Sequence, residues 1–168
     1  IEPIVSLWRL RKLDISSTKV SDISPLEANT VLRELYLRST GVSRLLPLIN
    51  NHDLRVLDLG GSPVEDIRPI GRALRLKVLY LDKTEVVDFS ILGNFRELRR
   101  LYVGSTEFSS LDIISKCRTL RVLHANNTKV MDLRPIMFLG ELVELNLRHT
   151  GVLDFSPLKH LKNLRVLY

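Results

Sequence analysis

Several features that mark membrane-spanning, secreted and disulfide-bonded proteins are missing from this sequence. Cys117 is its single cysteine, so no disulfide can form within the chain. No apolar run approaches the roughly 18–20 residues that a membrane-spanning helix needs. The first residues lack the basic segment and apolar stretch of a signal peptide. We therefore expect a cytoplasmic, or otherwise intracellular, protein without a membrane partner.

The sequence is also poor in the motifs that carry chemistry. It contains neither a glycine-rich phosphate-binding motif nor the ligand spacing of a zinc site. Its four histidines, His52, His124, His149 and His160, are scattered along the chain. We therefore predict a protein that is not an enzyme and has no catalytic residues, no cofactor, no metal and no small-molecule substrate.

What the sequence does contain is a repeat of 22 residues without insertion or deletion. The leucines that open successive units are Leu10, Leu32, Leu54, Leu76, Leu98, Leu120, Leu142 and Leu164. Counted from that leucine, positions 4, 6, 11, 14 and 17 are also apolar in nearly every unit. The repeat predicts one domain over 1–168, a fragment of a longer array, with partial repeats at 1–9 and 164–168. The full repeats between them are 10–31, 32–53, 54–75, 76–97, 98–119, 120–141 and 142–163.

The spacing within each unit predicts a strand followed by a tight turn. Positions 4 and 6 alternate with the variable positions 3, 5 and 7, as in a short half-buried strand. One such strand cannot bury its apolar face alone, but stacked coils bury it in a continuous core beneath a parallel sheet. Serine or aspartate at position 15 and proline at position 16 predict a capped helix start, with room only for a 3₁₀ or single α turn. The aspartates at position 13 are expected to act as local caps for that turn.

Units such as "LRKLDISSTKVSDISPL" and "LVELNLRHTGVLDFSPL" resemble the 22-residue class of leucine-rich repeats, which includes the nuclear regulators of protein phosphatase 1 and the bacterial internalins. The resemblance covers essentially the whole chain. It implies an α/β solenoid, a right-handed coil with a concave parallel β-sheet and short convex 3₁₀ or turn segments. Threonine or serine replaces the usual asparagine at position 9, a feature similar to intracellular leucine-rich-repeat proteins of trypanosomes. In the family that asparagine forms a ladder of hydrogen bonds between coils, and we expect a threonine ladder to serve similarly.

The outward-facing strand positions supply the candidate binding residues. All four tyrosines fall at position 5, on the expected concave face. Tyr80 and Tyr102 are neighbours there, and Gly60 and Gly104 beside them are expected to leave room for a partner. Tyrosine is enriched at interfaces, but a cross-strand aromatic pair can also serve only to stabilise the sheet. The predicted concave-face binding residues are Tyr36, Arg38, Asp58, Tyr80, Asp82, Arg100, Tyr102, His124 and Asn126.

A second candidate surface is a row of basic side chains at position 2, which we call the basic stripe. Its members are Arg11, Arg33, Arg55, Lys77, Arg99, Arg121 and Arg165. The chain carries a net charge of +6, and the stripe can bind an acidic protein or nucleic acid. Alternatively, it is a solvated edge whose side-chain stems cover apolar surface. Asp53, Glu97 and Glu141 lie where they can offset part of its charge.

These features favour a non-catalytic scaffold that binds a protein partner on its concave face. Binding of nucleic acid along the basic stripe is the less favoured alternative, because single-strand binders usually interleave aromatic side chains with basic ones. An architectural spacer in a larger assembly is a third. Met131, Met137, Phe138 and Leu153 predict exposed apolar surface, either a second contact site or a place of packing against another part of the protein.

Overall fold

The structure is a computed structural model that describes residues 6–168, so the first five residues of the predicted partial repeat 1–9 lie outside the described residues. Eight strands follow one another in sequence order in a single parallel sheet. Each strand pairs with the next at equivalent positions, as Leu79 does with Leu101. The chain is therefore a right-handed coil, whose coils we number 1 to 8 by their strands. These are β1 (Lys12–Asp14), β2 (Glu34–Tyr36), β3 (Val56–Asp58), β4 (Val78–Tyr80), β5 (Arg100–Tyr102), β6 (Val122–His124), β7 (Glu144–Asn146) and β8 (Val166–Leu167).

The apolar repeat positions form one continuous core between the sheet and the turns. The opening leucine and the leucine at position 4 are fully buried in coils 2 to 7, and Leu79 and Leu101 are both 0% exposed. Cys117 at position 20 is buried too, and its thiol donates to the Leu92 carbonyl oxygen at 3.3 Å. The core thins in coil 7, where Phe155 at position 14 is 49% exposed.

Short 3₁₀ turns lie on the convex side of the described chain. Their bounds are Ser24–Leu26, Leu46–Leu48, Arg68–Ile70, Ser90–Asn94, Leu111–Ile114, Arg134–Phe138 and Ser156–His160. Proline at the first or second position of five of these turns favours their start. No helix in the described part of the chain is long and apolar enough to cross a membrane.

The caps of these turns come from position 13, as predicted for the aspartates there. The Asp22 carboxylate accepts the backbone N–H of Ser24 at 2.8 Å, and Asp66, Asp88, Asp132 and Asp154 make the equivalent bond. Position 15, expected to be the cap, is instead the first residue of the turn in all but coil 5. The reason is geometric, because a short carboxylate folds back onto the N–H two residues further along.

The hydroxyls at position 9 bond mostly within their own coil, so the expected ladder between coils does not form. Thr84 Oγ1 donates to the Leu81 carbonyl oxygen at 2.7 Å, and five other coils repeat this bond. Ser62 differs, since its hydroxyl donates to the Leu37 carbonyl of the preceding coil and accepts the Thr40 N–H. A threonine side chain is shorter than asparagine and does not easily span the roughly 4.8 Å between coils.

Each of coils 1 to 7 leaves its strand through a residue in the left-handed backbone conformation at position 8. These residues are Ser17, Ser39, Gly61, Lys83, Ser105, Asn127 and His149. The left-handed conformation costs a non-glycine residue about 1–2 kcal/mol. Backbone bonds to the next coil hold it in place, for example Ser39 N–H to the Gly60 carbonyl at 2.8 Å and Gly61 N–H to the Asp82 carbonyl at 2.8 Å.

Candidate functional site

Aromatic side chains are in contact along the middle of the concave sheet. Tyr80 in β4 and Tyr102 in β5 have ring centroids 4.4 Å apart and ring planes inclined by 13°. His124 in β6 meets Tyr102 edge-on at 4.8 Å. We call these three rings on three consecutive strands the aromatic ladder. All three side chains remain partly exposed, so the rings contact one another across the strands and are still accessible to solvent.

Arg38 lies across the concave face beside the aromatic ladder. Its Nε donates to Asp58 Oδ2 at 2.9 Å, and its Nη2 lies 3.5 Å from Asp82 Oδ2. Its guanidinium carbon is 5.5 Å from the centre of the Tyr80 ring. Asp58 is only 7% exposed, but it also accepts the Gly60 N–H at 2.9 Å, so its charge is well compensated. The network holds one planar cation in a fixed place at the edge of the ladder.

The space above the two glycines is occupied by side chains of neighbouring coils. A Cβ at Gly60 would lie 2.6 Å from the guanidinium carbon of Arg38, and one at Gly104 would lie 2.8 Å from Asn126 Oδ1. The expectation that these glycines leave room for a partner is therefore wrong, because they accommodate Arg38 and Asn126. A cavity of about 290 Å³ remains where the strands end, lined by Arg38, Ser39, Gly61, Asp82, Lys83, Gly104, Ser105 and Asn126.

Burial changes the acid–base properties of two groups at this centre. It raises the pKa of the Asp82 carboxyl above its ordinary value, although the bond from the Gly104 N–H and the charge of Arg38 oppose the shift. Burial also raises the pKa of Tyr102, and the neighbouring Tyr80 adds to that effect. Tyr102 therefore offers a partner a neutral hydroxyl throughout the physiological pH range.

The remaining predicted residues flank the centre. Tyr36 Oη donates to Glu34 Oε2 at 3.2 Å. His124 Nε2 lies 2.8 Å from Glu144 Oε1, and because a carboxylate only accepts, this nitrogen carries the proton. Arg100 is exposed and has no acidic partner within 4.0 Å among residues 6–168. The structure thus joins Tyr80, Tyr102 and His124 into one contact group and leaves Arg100 free beside it.

The basic stripe follows the residues that precede the strands. Within the described residues, Lys77 lies 4.0 Å from Glu97 and Arg121 lies 3.5 Å from Glu141. Asp53, expected to offset the stripe, pairs instead with an arginine outside it. The stripe members without an acidic partner in residues 6–168 are Arg11, Arg33, Arg55, Arg99 and Arg165. The stripe therefore keeps most of its positive charge.

Exposed apolar side chains occur in the later coils, as the sequence predicts. Met131 and Leu153 at position 12 of coils 6 and 7 are 67% and 92% exposed. Met137 and Phe138, which end the 3₁₀ turn of coil 6, are 46% and 52% exposed.

The fold of this chain is shared by leucine-rich-repeat proteins of known structure. The chain is similar to an internalin (InlF) of Listeria monocytogenes, with a TM-score of 0.92 and 30% sequence identity over 96% of this chain and 48% of that chain. It is also similar to internalin C2 of the same bacterium, with a TM-score of 0.96 and 29% identity over 100% of this chain and 75% of that one. The chain is a leucine-rich-repeat protein.

This leucine-rich-repeat chain spans about half the length of the InlF structure. The plant peptide hormone receptor RGFR1, in complex with RGF2, gives a TM-score of 0.78 at 16% identity over 99% of this chain and 33% of the receptor chain. That likeness concerns the fold alone. No family model and no curated protein matches the sequence.

Three residues of the concave side of this leucine-rich-repeat protein take part in the site although they are not among the predicted binding residues. Glu144 forms a hydrogen bond with His124. The sequence feature that indicates this contact is a basic side chain at position 5 of one strand and an acidic side chain at position 3 of the next. Ser39 and Lys83 line the cavity where the strands end, and the run of small or polar residues at position 8 was the signal for their left-handed turns. Among residues 6–168 there is no group of histidine, cysteine, aspartate and glutamate side chains suited to hold a metal ion.

Proposed function

We propose that this leucine-rich-repeat protein is a non-catalytic interaction scaffold that binds a protein partner on its concave face, centred on Tyr80 and Tyr102. The observation that carries the proposal is the aromatic ladder, a set of rings in mutual contact on a rigid parallel sheet. Tyrosine is among the side chains that dominate binding energy at interfaces. Rings already held in place lose little freedom when a partner binds.

The charges around the aromatic ladder would decide which partner fits. Arg100 is the unpaired cation of the set, so it suits a carboxylate on the partner. Arg38 is engaged by two carboxylates on this chain, so it contributes the flat face of its guanidinium rather than a free charge. The plant receptor of the same fold is in complex with RGF2, which supports a protein or peptide as the class of partner.

The proposal is tested with the wild-type chain, the single variant Tyr80→Ala, the double variant Tyr80→Ala/Tyr102→Ala and the control Leu46→Ala. Leu46 is a 64% exposed apolar residue in a convex turn. Proteins captured by the wild type are identified, and the affinity of each purified partner is then measured by calorimetry. We expect Tyr80→Ala alone to cost about 2 kcal/mol or more, roughly thirtyfold in Kd, with no loss for Leu46→Ala.

A partner that binds both tyrosine variants as tightly as the wild type would refute the concave-face proposal and leave the tyrosines as a pair that stabilises the sheet. The absence of any partner under these conditions would favour an architectural spacer.

A second candidate function is supported by the unpaired arginines of the basic stripe, which would bind an acidic protein or a nucleic acid. Its binding should weaken steeply with added salt, because each contact to a polyanion releases counterions. Replacement of Arg55, Arg99 and Arg121 by glutamine should flatten the plot of log Kd against log salt. Binding of a polyanion that ignores salt would leave the stripe with a solvation role only.

We also propose that the protein works in the cytoplasm. Its one cysteine, Cys117, is a buried free thiol, a state that suits a reducing compartment. Fractionation of cells that express the natural protein would test this location directly.

A further inference from the structure

A depression on the convex side of coils 4 to 6 gathers cationic side chains around an exposed aromatic ring. Its volume is about 510 Å³, and it is lined by Arg96, Ser115, Lys116, Arg118 and Phe138. Arg96 and Arg118 occupy position 21 of adjacent coils, whose backbones are roughly 5 Å apart. Phe138 belongs to the turn of the next coil and is 52% exposed. Three cations and one ring therefore face a single small volume.

The three cations have no acidic partner within 4.0 Å among residues 6–168. The carboxylates next to them in sequence or in the adjacent coil are used elsewhere. Glu97 lies beside Lys77 and Glu141 beside Arg121. The depression therefore concentrates uncompensated positive charge, and an anion placed there would relieve the mutual repulsion of its walls.

The backbone beneath the depression is fixed by bonds between coils. Thr119 Oγ1 lies 2.9 Å from the carbonyl oxygens of both Arg96 and Leu98, so its single hydroxyl proton is shared between the two acceptors. The fold itself does not require cations here, because position 21 in the other coils holds Thr30, His52, Leu74, Gly140 and Lys162. The cluster is thus a local feature of coils 4 and 5 on a repeat that is otherwise regular.

We propose that this depression binds a phosphotyrosyl side chain of a protein partner. A phosphoryl group carries a charge of about −1.5 to −2 at neutral pH and several strong acceptor oxygens, which match two planar guanidinium groups and one ammonium. The phenyl ring that carries the phosphate packs against the exposed ring of Phe138. The depression is of a size found for small ligands and side chains, roughly 300–1,000 Å³. Because it lies on the convex side, this proposal does not depend on the concave face.

The probes are a short alanine-flanked phosphotyrosyl peptide, its phosphoseryl and unphosphorylated tyrosyl counterparts, and an oligothymidylate, each labelled for fluorescence anisotropy. We expect saturable binding of the phosphotyrosyl peptide, about tenfold tighter than that of the phosphoseryl peptide, and no measurable binding of the unphosphorylated one. The variant Arg96→Gln/Lys116→Gln/Arg118→Gln should lose at least tenfold in affinity for the phosphotyrosyl peptide. The control Lys19→Gln/Arg72→Gln/Lys162→Gln removes the same net charge from exposed sites elsewhere and should bind as the wild type does, apart from a small uniform loss.

Phe138→Ala separates the two parts of the proposal, since it should abolish the preference for phosphotyrosine over phosphoserine while phosphate-dependent binding persists. That ratio of affinities does not depend on how much of the variant is folded. The proposal is overturned if both phosphopeptides bind equally to the wild type, if both triple variants lose affinity alike, if the phosphotyrosyl peptide does not saturate, or if oligothymidylate binds more tightly at the same cluster.

Discussion

The contact between Tyr80 and Tyr102 predicts an effect on folding that is separate from any partner. Replacing Tyr80 with alanine removes a ring stacked at 4.4 Å on Tyr102 and a ring face 5.5 Å from the guanidinium carbon of Arg38. An aromatic pair contributes about 0.5–1.5 kcal/mol beyond burial, and a cation–π contact at a partly exposed site about 0.5–1 kcal/mol. We therefore expect Tyr80→Ala to lower the free energy of unfolding by about 1–2 kcal/mol, although the ring lies on the outer face of the sheet.

A double-mutant cycle isolates the stack itself. Tyr102→Ala should cost a similar amount, because it removes the same stack and the edge contact with His124 at 4.8 Å. The double variant loses the stack only once, so the sum of the two single losses should exceed the loss in the double variant by about 1 kcal/mol. Urea unfolding followed by circular dichroism measures all three, with Leu46→Ala as a variant expected to change little. A coupling below about 0.3 kcal/mol would show that the rings do not stack in solution.

Four further effects are expected. Leu101→Ala should cost about 2–5 kcal/mol, because the side chain is fully buried. Gly61→Ala should cost about 1 kcal/mol, since φ at this residue is +70°. Cys117 should resist thiol reagents at pH 8, because burial raises its pKa to about 11. The free energy of unfolding should fall below about pH 4, because hydrogen bonds from backbone N–H groups lower the pKa of the capping carboxylates in the folded protein. Their stabilisation is complete above the ordinary aspartate pKa and is lost as the pH falls through the lower pKa of the folded state. The aspartates for which that bond is the main cause are Asp22, Asp88 and Asp154.

Each of these has a control or a contradicting outcome. Gly140→Ala is the control for Gly61→Ala, because a Cβ there meets no atom within 4 Å and φ is not positive, so its urea midpoint should not fall. An unchanged midpoint for Leu101→Ala would mean that the repeat register is wrong. Fast labelling of Cys117 in the native protein would contradict its burial. Asparagine at Asp22, Asp88 and Asp154 should flatten the acid side of the stability profile, and an identical profile would exclude these caps as its cause.

The sheet, its strand order and its register could all be read from the sequence because one rule governs them. Leucine at position 4 recurs every 22 residues, and a strand that short becomes stable only by pairing with its own equivalent in the next coil. The same rule predicts the burial of Leu79 and Leu101. The hydrogen bonds made at position 9 could not be predicted, because the spacing shows that a hydroxyl recurs but not which carbonyl oxygen it reaches. Thr84 bonds to Leu81 in its own coil, and only geometry shows that this is the nearer acceptor.

The candidate site was readable as a row of positions but not as a set of contacts. The sequence places Tyr80 beside Tyr102, and the structure adds that their rings are parallel. The sequence does not reveal that Arg38 extends over Gly60. That position depends on the rotamer of a long side chain that is held by two carboxylates. The convex cluster is not evident from the sequence for another reason. Arg96 and Arg118 share position 21, but Lys116 and Phe138 stand at position 19 of two different coils, so no single column of the repeat contains the whole cluster.

The uniform register of the sheet has a consequence for how such a chain can change over generations. Since every strand pairs with the next at equivalent residues, a recombination event that removes 98–119 would rejoin coil 4 to coil 6 with the core positions of the repeat still facing inward. Leu79 would then pair with Leu123, and Tyr80 would lie next to His124. A loss or gain within a strand that is not a whole multiple of 22 residues would break this register and turn leucines outward. Whole coils can therefore be added, removed or exchanged. Each such event changes one row of side chains on the concave face and keeps the packing of the core positions.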